Sequence, residues 1–223
     1  MMISTQANLK FKCLLPNLKK DYIEKSSIKN FNWFSKALDH LKKNKDAQTH
    51  TARCPGIINY LNYVWVQKAY QDILIKTNGD GETLMYATAF KQEESKYGKY
   101  IGPYVHYHSK EQLDDFLPIN KRSLKTIIKI QSPYLVTVPD GYWLLRLPVA
   151  YSDDDRFTGV IGIFDRTNFL NVQLLWHELN SEQIIKEGTP LCQFTLVPKN
   201  NFDIDITKGN IKDIMNTGLF DGR

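Results

Sequence analysis

The C-terminal third of the chain consists of short apolar runs separated by turn-forming residues. Runs of four to seven residues are too short for typical helices. Gly, Pro, Asp or Asn occurs in every gap between them, as expected for strands joined by turns. The pattern therefore predicts a mainly β fold, α+β at most. The runs are Ile127–Ile130, Tyr134–Val138, Tyr142–Leu147, Val160–Phe164, Val172–Trp176 and Leu191–Val197.

The N-terminal part mixes strand and helix signals. Residues 9–15 predict a first strand that ends at Pro16. Phe31, Phe34, Leu38 and Leu41 follow one another at spacings of three, four and three, which predicts a short amphipathic helix. Residues 57–66 are apolar enough to be buried, and we interpret them as a helical turn followed by a strand over Tyr63–Val66.

A β-hairpin is the most definite local prediction. Alternating segments over Ala69–Thr77 and Glu82–Ala89 flank the sequence Asn78-Gly79-Asp80-Gly81. Asn, Asp and Gly tolerate the positive φ angles that hairpin turns require. Further along, Leu113–Leu117 is expected to form one helical turn.

The positive charge is concentrated at the N-terminus. Residues 1–53 carry eleven Lys/Arg against four Asp/Glu, a net charge of +7, whereas the whole chain carries +5. Such a segment could bind nucleic acid or an acidic partner. The lysines are scattered and no DNA-reading motif is present, which favours a solvated basic face instead. We divide the chain into a basic segment 1–53, a β-rich domain 54–200 with its core at about 127–198, and a tail 201–223.

Few catalytic patterns are present. The sequence has no G-x-S-x-G elbow, no Walker A motif and no G-x-G-x-x-G loop. His106 and His108, with Glu111 nearby, form the best metal-binding pattern, because residues two apart on a strand face the same side. The alternative is a pair of packed or exposed histidines without metal, and no cofactor is required by the sequence.

Three turn segments resemble the motifs of dUTPase-like proteins in order and separation. They are Pro139-Asp140-Gly141-Tyr142, Gly162-Ile163-Phe164-Asp165-Arg166-Thr167 and Lys186-Glu187-Gly188-Thr189-Pro190-Leu191-Cys192-Gln193. The resemblance implies a β-clip core of antiparallel strands and a homo-oligomer, in that group often a trimer. It also implies a pocket for a nucleotide or small ligand around Tyr142, Asp165 and Gln193.

The same comparison argues against the chemistry of that group. The phosphate-binding Arg-Ser-Gly segment has no counterpart, because Leu147-Pro148-Val149-Ala150-Tyr151 stands at its position, and Thr167 replaces the second Asp of the hairpin. Triphosphate hydrolysis needs carboxylates that hold Mg²⁺ and groups that hold phosphates. We therefore expect a non-catalytic binding or structural module. The alternatives are a dUTPase-like nucleotide or ligand enzyme and, more weakly, a metalloprotein using His106 and His108.

Much of the chain also resembles a family of uncharacterised proteins of tailed bacteriophages, related to a bacterial domain of unknown function. The resemblance rests on Asn32-Trp33-Phe34, Cys54-Pro55-Gly56-Ile57-Ile58, Val138–Tyr142 and the Gly188-Thr189-Pro190 to Gln193 segment. It implies a phage origin, with other virion proteins as partners. No apolar run is long enough to span a bilayer and no secretory signal pattern is present, so we expect the host cytoplasm or the virion and no membrane partner.

Overall fold

The structure, a computed structural model, describes residues 8–15, 18, 21–43, 51–88, 104–108 and 122–200. These residues form antiparallel strands in four sheets, together with two short α-helices. The prediction of a mainly β fold with a short helical N-terminal part is confirmed. The helical turn predicted over Leu113–Leu117, Glu111 of the histidine pattern and the tail 201–223 lie outside the described residues.

A five-stranded sheet forms the centre of the fold, in the order β11-β9-β15-β3-β2. The predicted strand over Tyr142–Leu147 is confirmed as β9, and the strand predicted over Leu191–Val197 extends by one residue at each end. The strands are β2 (Ile23–Lys25), β3 (Trp65–Lys68), β9 (Tyr142–Leu147), β11 (Gly162–Phe164) and β15 (Pro190–Pro198).

The largest apolar core lies between two further sheets. A four-stranded sheet, β10-β13-β7-β6, and a three-stranded sheet, β14-β4-β5, supply most of its buried Ile, Val, Leu and Trp side chains. Their strands are β4 (Ile73–Thr77), β5 (Leu84–Thr88), β6 (Val105–His108), β7 (Ile127–Ile130), β10 (Phe157–Gly159), β13 (Val172–Trp176) and β14 (Glu182–Ile185).

A smaller core joins the remaining sheet to the five-stranded one. The sheet has the order β1-β8-β12, with β1 (Lys10–Cys13), β8 (Tyr134–Thr137) and β12 (Asn168–Phe169). Val136 of β8 packs with Leu144 of β9 and Phe194 of β15, and Phe11 of β1 lies against Phe194 at 5.6 Å between ring centroids. The predicted first strand is therefore part of the β structure.

The three motif segments lie at or next to the points where the chain enters three adjacent strands of the central sheet. The turn at Gly141 connects β8 to β9, the Val160-Ile161 link connects β10 to β11, and the turn at Gly188 connects β14 to β15. Gly141 has φ 77° and Gly188 has φ 86°, values that only glycine adopts without strain. Each of the three connections thus transfers the chain from another sheet into the sequence β11-β9-β15.

The predicted hairpin is confirmed, with a loop of residues 78–83 between the paired Thr77 and Leu84. Asp80 organises this loop, because its Oδ1 accepts hydrogen bonds from the backbone N–H groups of Glu82 and Thr83, each at 2.7 Å. These bonds, with one from the Thr83 hydroxyl, hold the pKa of Asp80 well below its usual range.

The helical part packs as one small cluster. The two helices are α1 (Asn32–Lys43), as predicted from the spacing of Phe31 to Leu41, and α2 (Pro55–Tyr63). Phe34 and Leu41 of α1 share a core with Leu61 of α2, so the division placed between residues 53 and 54 falls inside one packed unit. Within the described residues, no helix has the length and apolarity needed to cross a membrane.

A buried arginine connects the central sheet to the large core. Arg146 of β9 donates from Nε to the Val160 carbonyl at 3.1 Å and from Nη2 to Gln173 Oε1 at 3.0 Å, and from Nη1 to the Asn171 carbonyl. Its guanidinium carbon lies 5.3 Å from the centre of the Phe164 ring. None of these three acceptors is a carboxylate, and burial lowers the pKa of the Arg146 guanidinium.

Replacing this arginine should destabilise the fold. Arg146→Lys keeps the charge, but an ammonium on a flexible stem cannot reach three acceptors that match the planar fork of a guanidinium. Because buried acceptors are left without donors, we expect a loss of about 2–4 kcal/mol in the free energy of unfolding, measured by urea denaturation. Arg166→Lys, at an exposed position after β11, is the matched control and should change stability by less than about 0.5 kcal/mol. Equal stability of the two variants would contradict this role of Arg146.

Candidate functional site

Gln193 holds two separate parts of the chain against the central sheet. Its Oε1 accepts a hydrogen bond from the Tyr60 hydroxyl of α2 at 3.0 Å and another from the Ala150 backbone N–H, also at 3.0 Å. Its side chain is fully buried, and its Nε2 has no partner among the described residues. Burial raises the pKa of Tyr60, which favours the protonated hydroxyl that donates this hydrogen bond.

The loop after β9 is held in a strained conformation at this point. Tyr151 has φ 58°, in the left-handed region that non-glycine residues rarely occupy. Its ring lies 5.6 Å from that of Trp33 on α1. The Trp33 indole Nε1 is buried and, within the described part of the chain, lacks a hydrogen-bond partner. Such strain persists only where neighbouring contacts enforce it, and it concentrates at functional sites.

A cleft of about 350 Å³ lies beside this loop. Its floor is one face of β2 and β3, its walls are the segment before α1 and the loop 149–154, and the β14–β15 turn closes one end. Gln193 is paired with Val66 across the sheet, so both side chains stand on the face that forms the floor. The floor residues are Glu24, Val66 and Lys68.

Most charged groups in and beside the cleft form ion pairs with one another. Lys68 Nζ lies 2.6 Å from Glu24 Oε1, and Arg156 Nη2 lies 2.7 Å from Asp154 Oδ2. The Arg156 guanidinium lowers the pKa of Asp154 through these hydrogen bonds. Asp153 Oδ2 accepts a hydrogen bond from Asn32 Nδ2 at 3.4 Å. The cleft thus presents three carboxylates and one lysine, and that lysine is bound to one of them.

The three predicted ligand residues, Tyr142, Asp165 and Gln193, lie in two separate places within one chain. On the ladder between β9 and β15, Tyr142 pairs with Pro198 and Gln193 pairs with Leu147. These two pairs are five residues apart along the strands, which is a distance of about 17 Å. Asp165 lies at the Tyr142 end, where Lys199 Nζ approaches its Oδ2 at 3.2 Å and the Trp143 ring at 4.4 Å. The structure therefore brings Tyr142 and Asp165 to one end of the sheet and places Gln193 at the loop 148–151.

His106 and His108 lie on the edge strand β6 and face the same side, as the alternation required. His108 Nε2 lies 3.3 Å from Gln173 Nε2, and His106 is paired across the sheet with Lys129. Burial, with smaller contributions from the Lys129 and His108 charges, lowers the pKa of His106. No three His, Cys, Asp or Glu side chains of the described residues are grouped so as to hold a metal ion. The metal site remains a prediction.

Several residues of the cleft were not singled out from the sequence. Asp154 lies in a run of three aspartates, where it turns inward to Arg156, while Asp153 and Asp155 remain exposed. Tyr60 lies in an apolar run without a distinguishing pattern. A usable signal was the Asp-x-Arg spacing of Asp154 and Arg156, which places the two side chains on one side of an extended segment.

Comparisons with known proteins concern the fold. No family model matches the sequence, and no curated protein matches it. Among solved structures, the chain is similar to a mutant dUTPase of Staphylococcus bacteriophage 80alpha, with 10% identity, a TM-score of 0.39, and coverage of 91% of this chain and 97% of the other. It is also similar to a mutant dUTPase from phage phi11 of S. aureus, with 9% identity, a TM-score of 0.39, and coverage of 91% and 98%.

Removal of the Tyr60 hydroxyl should weaken the attachment of α2 to the sheet. Tyr60→Phe deletes the hydrogen bond to the buried Gln193 and should lower the free energy of unfolding by about 0.5–1.5 kcal/mol, measured by urea denaturation. The control is Tyr63→Phe on the same helix, whose ring is 61% exposed, and it should leave stability unchanged within about 0.5 kcal/mol.

Substitution of Gln193, the acceptor, tests the same hydrogen bond from the other side. Gln193→Met keeps a similar volume but removes the acceptor shared by Tyr60 and Ala150, so it should cost more than Tyr60→Phe alone. In the double variant the two losses should not add, because both remove one interaction. Strict additivity would contradict a direct Tyr60–Gln193 bond.

Proposed function

We propose that the protein is a phage-encoded binding or virion-associated structural module with a β-clip core, and that it does not hydrolyse nucleotides. The observation that supports this best is a backbone hydrogen bond in the segment Leu147–Tyr151. At the position where the resembling enzymes bind phosphate, the Ala150 N–H is already bonded to Gln193. The host cytoplasm and the virion are its two proposed locations.

The electrostatics of the adjoining cleft support the same proposal. A triphosphate would enter beside Glu24, Asp153 and Asp154, and the nearby cations Lys68 and Arg156 are bound to two of these carboxylates. Like charges at contact distance repel, and freeing a cation would require breaking an existing ion pair. Enzymes that transfer phosphoryl groups instead surround the phosphates with unused positive charge or Mg²⁺.

The alternative is a nucleotide or small-ligand enzyme that uses the Tyr142 end of the sheet. It is favoured by the grouping of Asp165, Lys199 and the Trp143 ring, which together offer a carboxylate, an ammonium group and an aromatic surface. The weaker alternative is the metalloprotein based on His106 and His108. A change in thermal stability on adding a transition metal, abolished by His106→Ala, would favour it.

Incubation with deoxynucleoside triphosphates separates the proposal from the enzyme alternative. We expect no release of pyrophosphate or phosphate in the presence of Mg²⁺, under conditions where a dUTPase used as the positive control is fully active. We also expect no nucleotide-dependent rise in the unfolding temperature. Stabilisation by a deoxynucleotide that Asp165→Ala abolishes would instead support a nucleotide-binding site, and hydrolysis abolished by the same variant would overturn the proposal.

We further propose that the protein is a homo-oligomer, with a trimer as the expected form. Ile161 and Ile163, next to and within the edge strand β11, are 64% and 55% exposed and lie on the same side of the chain. Exposed apolar side chains at a sheet edge are typical of surfaces that another chain covers.

Light scattering tests the oligomer directly. The mass in solution should exceed the 25.9 kDa of one chain, and Ile163→Lys should shift the population towards the monomer because it places a charge in an apolar interface. Ile184→Lys, a 40% exposed isoleucine on β14, is the control and should leave the mass unchanged. A strict monomer at high protein concentration would contradict this part of the proposal.

A further inference from the structure

An exposed aromatic surface lies where α2 passes into β3. Tyr63 is 61% exposed and Trp65 is 40% exposed, so solvent reaches both aromatic residues. Lys25 Nζ lies 5.2 Å from the centre of the Tyr63 ring and 5.7 Å from that of Trp65, and it donates a hydrogen bond to the Tyr63 carbonyl at 2.7 Å. We call Lys25, Tyr63 and Trp65 the aromatic platform.

A shallow groove adjoins the platform. Its volume is about 470 Å³ and its lining is Asn59, Tyr60, Asn62 and Tyr63 of α2. Asn59 and Asn62 are exposed residues on the same helix face as Tyr63, at the spacing of one helical turn. Amide side chains of this kind donate and accept hydrogen bonds with polar ligands. Asn62 Oδ1 also accepts from the Ile28 N–H at 3.0 Å, which fixes the orientation of that amide.

Lys25 places a positive charge at the platform, and the part of the chain that contributes it is rich in basic residues. The described residues from 21 to 63 carry six Lys/Arg and three Asp/Glu. Two of these carboxylates are engaged, because Glu24 binds Lys68 on the opposite face and Asp39 binds Lys42 within α1. Lys29 and Arg53 lie in the short 3-10 turns that precede α1 and α2. The helical part thus carries a net positive charge, and the structure places Lys25 of this part of the chain at the two exposed rings.

We propose that the aromatic platform and its groove bind single-stranded nucleic acid. Exposed rings stack bases, and nearby lysines hold the backbone phosphates, which is the combination that binds single strands with little sequence preference. A duplex would not offer its base faces to the rings. A neutral glycan could stack on the rings but would gain nothing from the positive charge. The combination of rings and lysines therefore favours a single-stranded polyanion.

The platform residues Lys25 and Trp65 lie on the opposite face of β2 and β3 from the cleft, and Tyr60 of the groove connects to the cleft side through its hydrogen bond to Gln193. Successive strand residues point to opposite faces, so Glu24 and Val66 face the cleft while Lys25 and Trp65 face the other side. The inference goes beyond the binding-module proposal and does not depend on the cleft.

The test is fluorescence anisotropy of a labelled oligothymidylate of about 15 nucleotides, titrated with the full chain at low salt. Tyr63→Ala should weaken binding about tenfold, and Tyr63→Ala combined with Trp65→Ala should weaken it further, because each ring stacks one base. Lys25→Gln should also weaken binding and reduce its salt dependence. Tyr107→Ala, a 57% exposed tyrosine on β6, is the matched control and should bind like the unmodified chain.

Three results would overturn the proposal. One is the absence of binding at about 100 µM protein in low salt. Another is binding that Tyr63→Ala and Tyr107→Ala leave equally unchanged, which would place the nucleic acid elsewhere on the chain. The third is duplex binding as tight as that of the single strand, which would indicate charge attraction without stacking. Because Tyr63 is exposed, unchanged thermal unfolding of Tyr63→Ala would show that a weaker affinity is not a folding defect.

Discussion

The fold depends most on the hydrogen bonds that the buried guanidinium group of Arg146 makes in the interior. A buried guanidinium is tolerated only when its donors meet acceptors, and here all three acceptors are neutral oxygen atoms. They come from the link after β10 and from the chain around β13, so the central sheet is fixed against the large core through one side chain. Gly162 makes room for it, since a Cβ atom there would lie 3.1 Å from Arg146 Nη2.

The hydrogen bonds of Val160 fix the conformation of the link between β10 and β11. The Val160 carbonyl must point to Arg146 Nε while its N–H donates to the Gln173 carbonyl at 2.8 Å. At this point the chain leaves the four-stranded sheet after β10 and enters the central sheet as β11. The glycines at 159 and 162 flank this crossing, and a Cβ atom at Gly159 would lie 3.3 Å from the Leu191 carbonyl oxygen.

The parts of the fold that were predictable from sequence are those fixed by local chemistry. The hairpin around Asp80, the turn at Gly141 and helix α1 each follow from residues within a few positions of one another. Arg146 was read as part of an apolar run, although alternation places it on the buried side with Leu144. Its acceptors are 14 to 27 residues away, and no local pattern specifies them. Likewise, no local pattern specifies the partner of Gln193, because its acceptor oxygen binds the hydroxyl of Tyr60, 133 residues earlier, and its contact with a ligand stays a prediction.

The two short strands β2 and β3 place charged side chains on opposite faces of the sheet, which the composition alone does not show. Scattered lysines without a DNA-reading motif predict a solvated basic face. On the strands, however, Glu24 and Lys68 neutralise each other over the cleft, and Lys25 stands on the opposite face between two exposed rings. Alternation with a period of two thus separates a paired, nearly neutral surface from a basic aromatic one. The structure places Lys25 of this basic excess at the face that carries the rings, whereas Lys68 in the cleft is paired with Glu24.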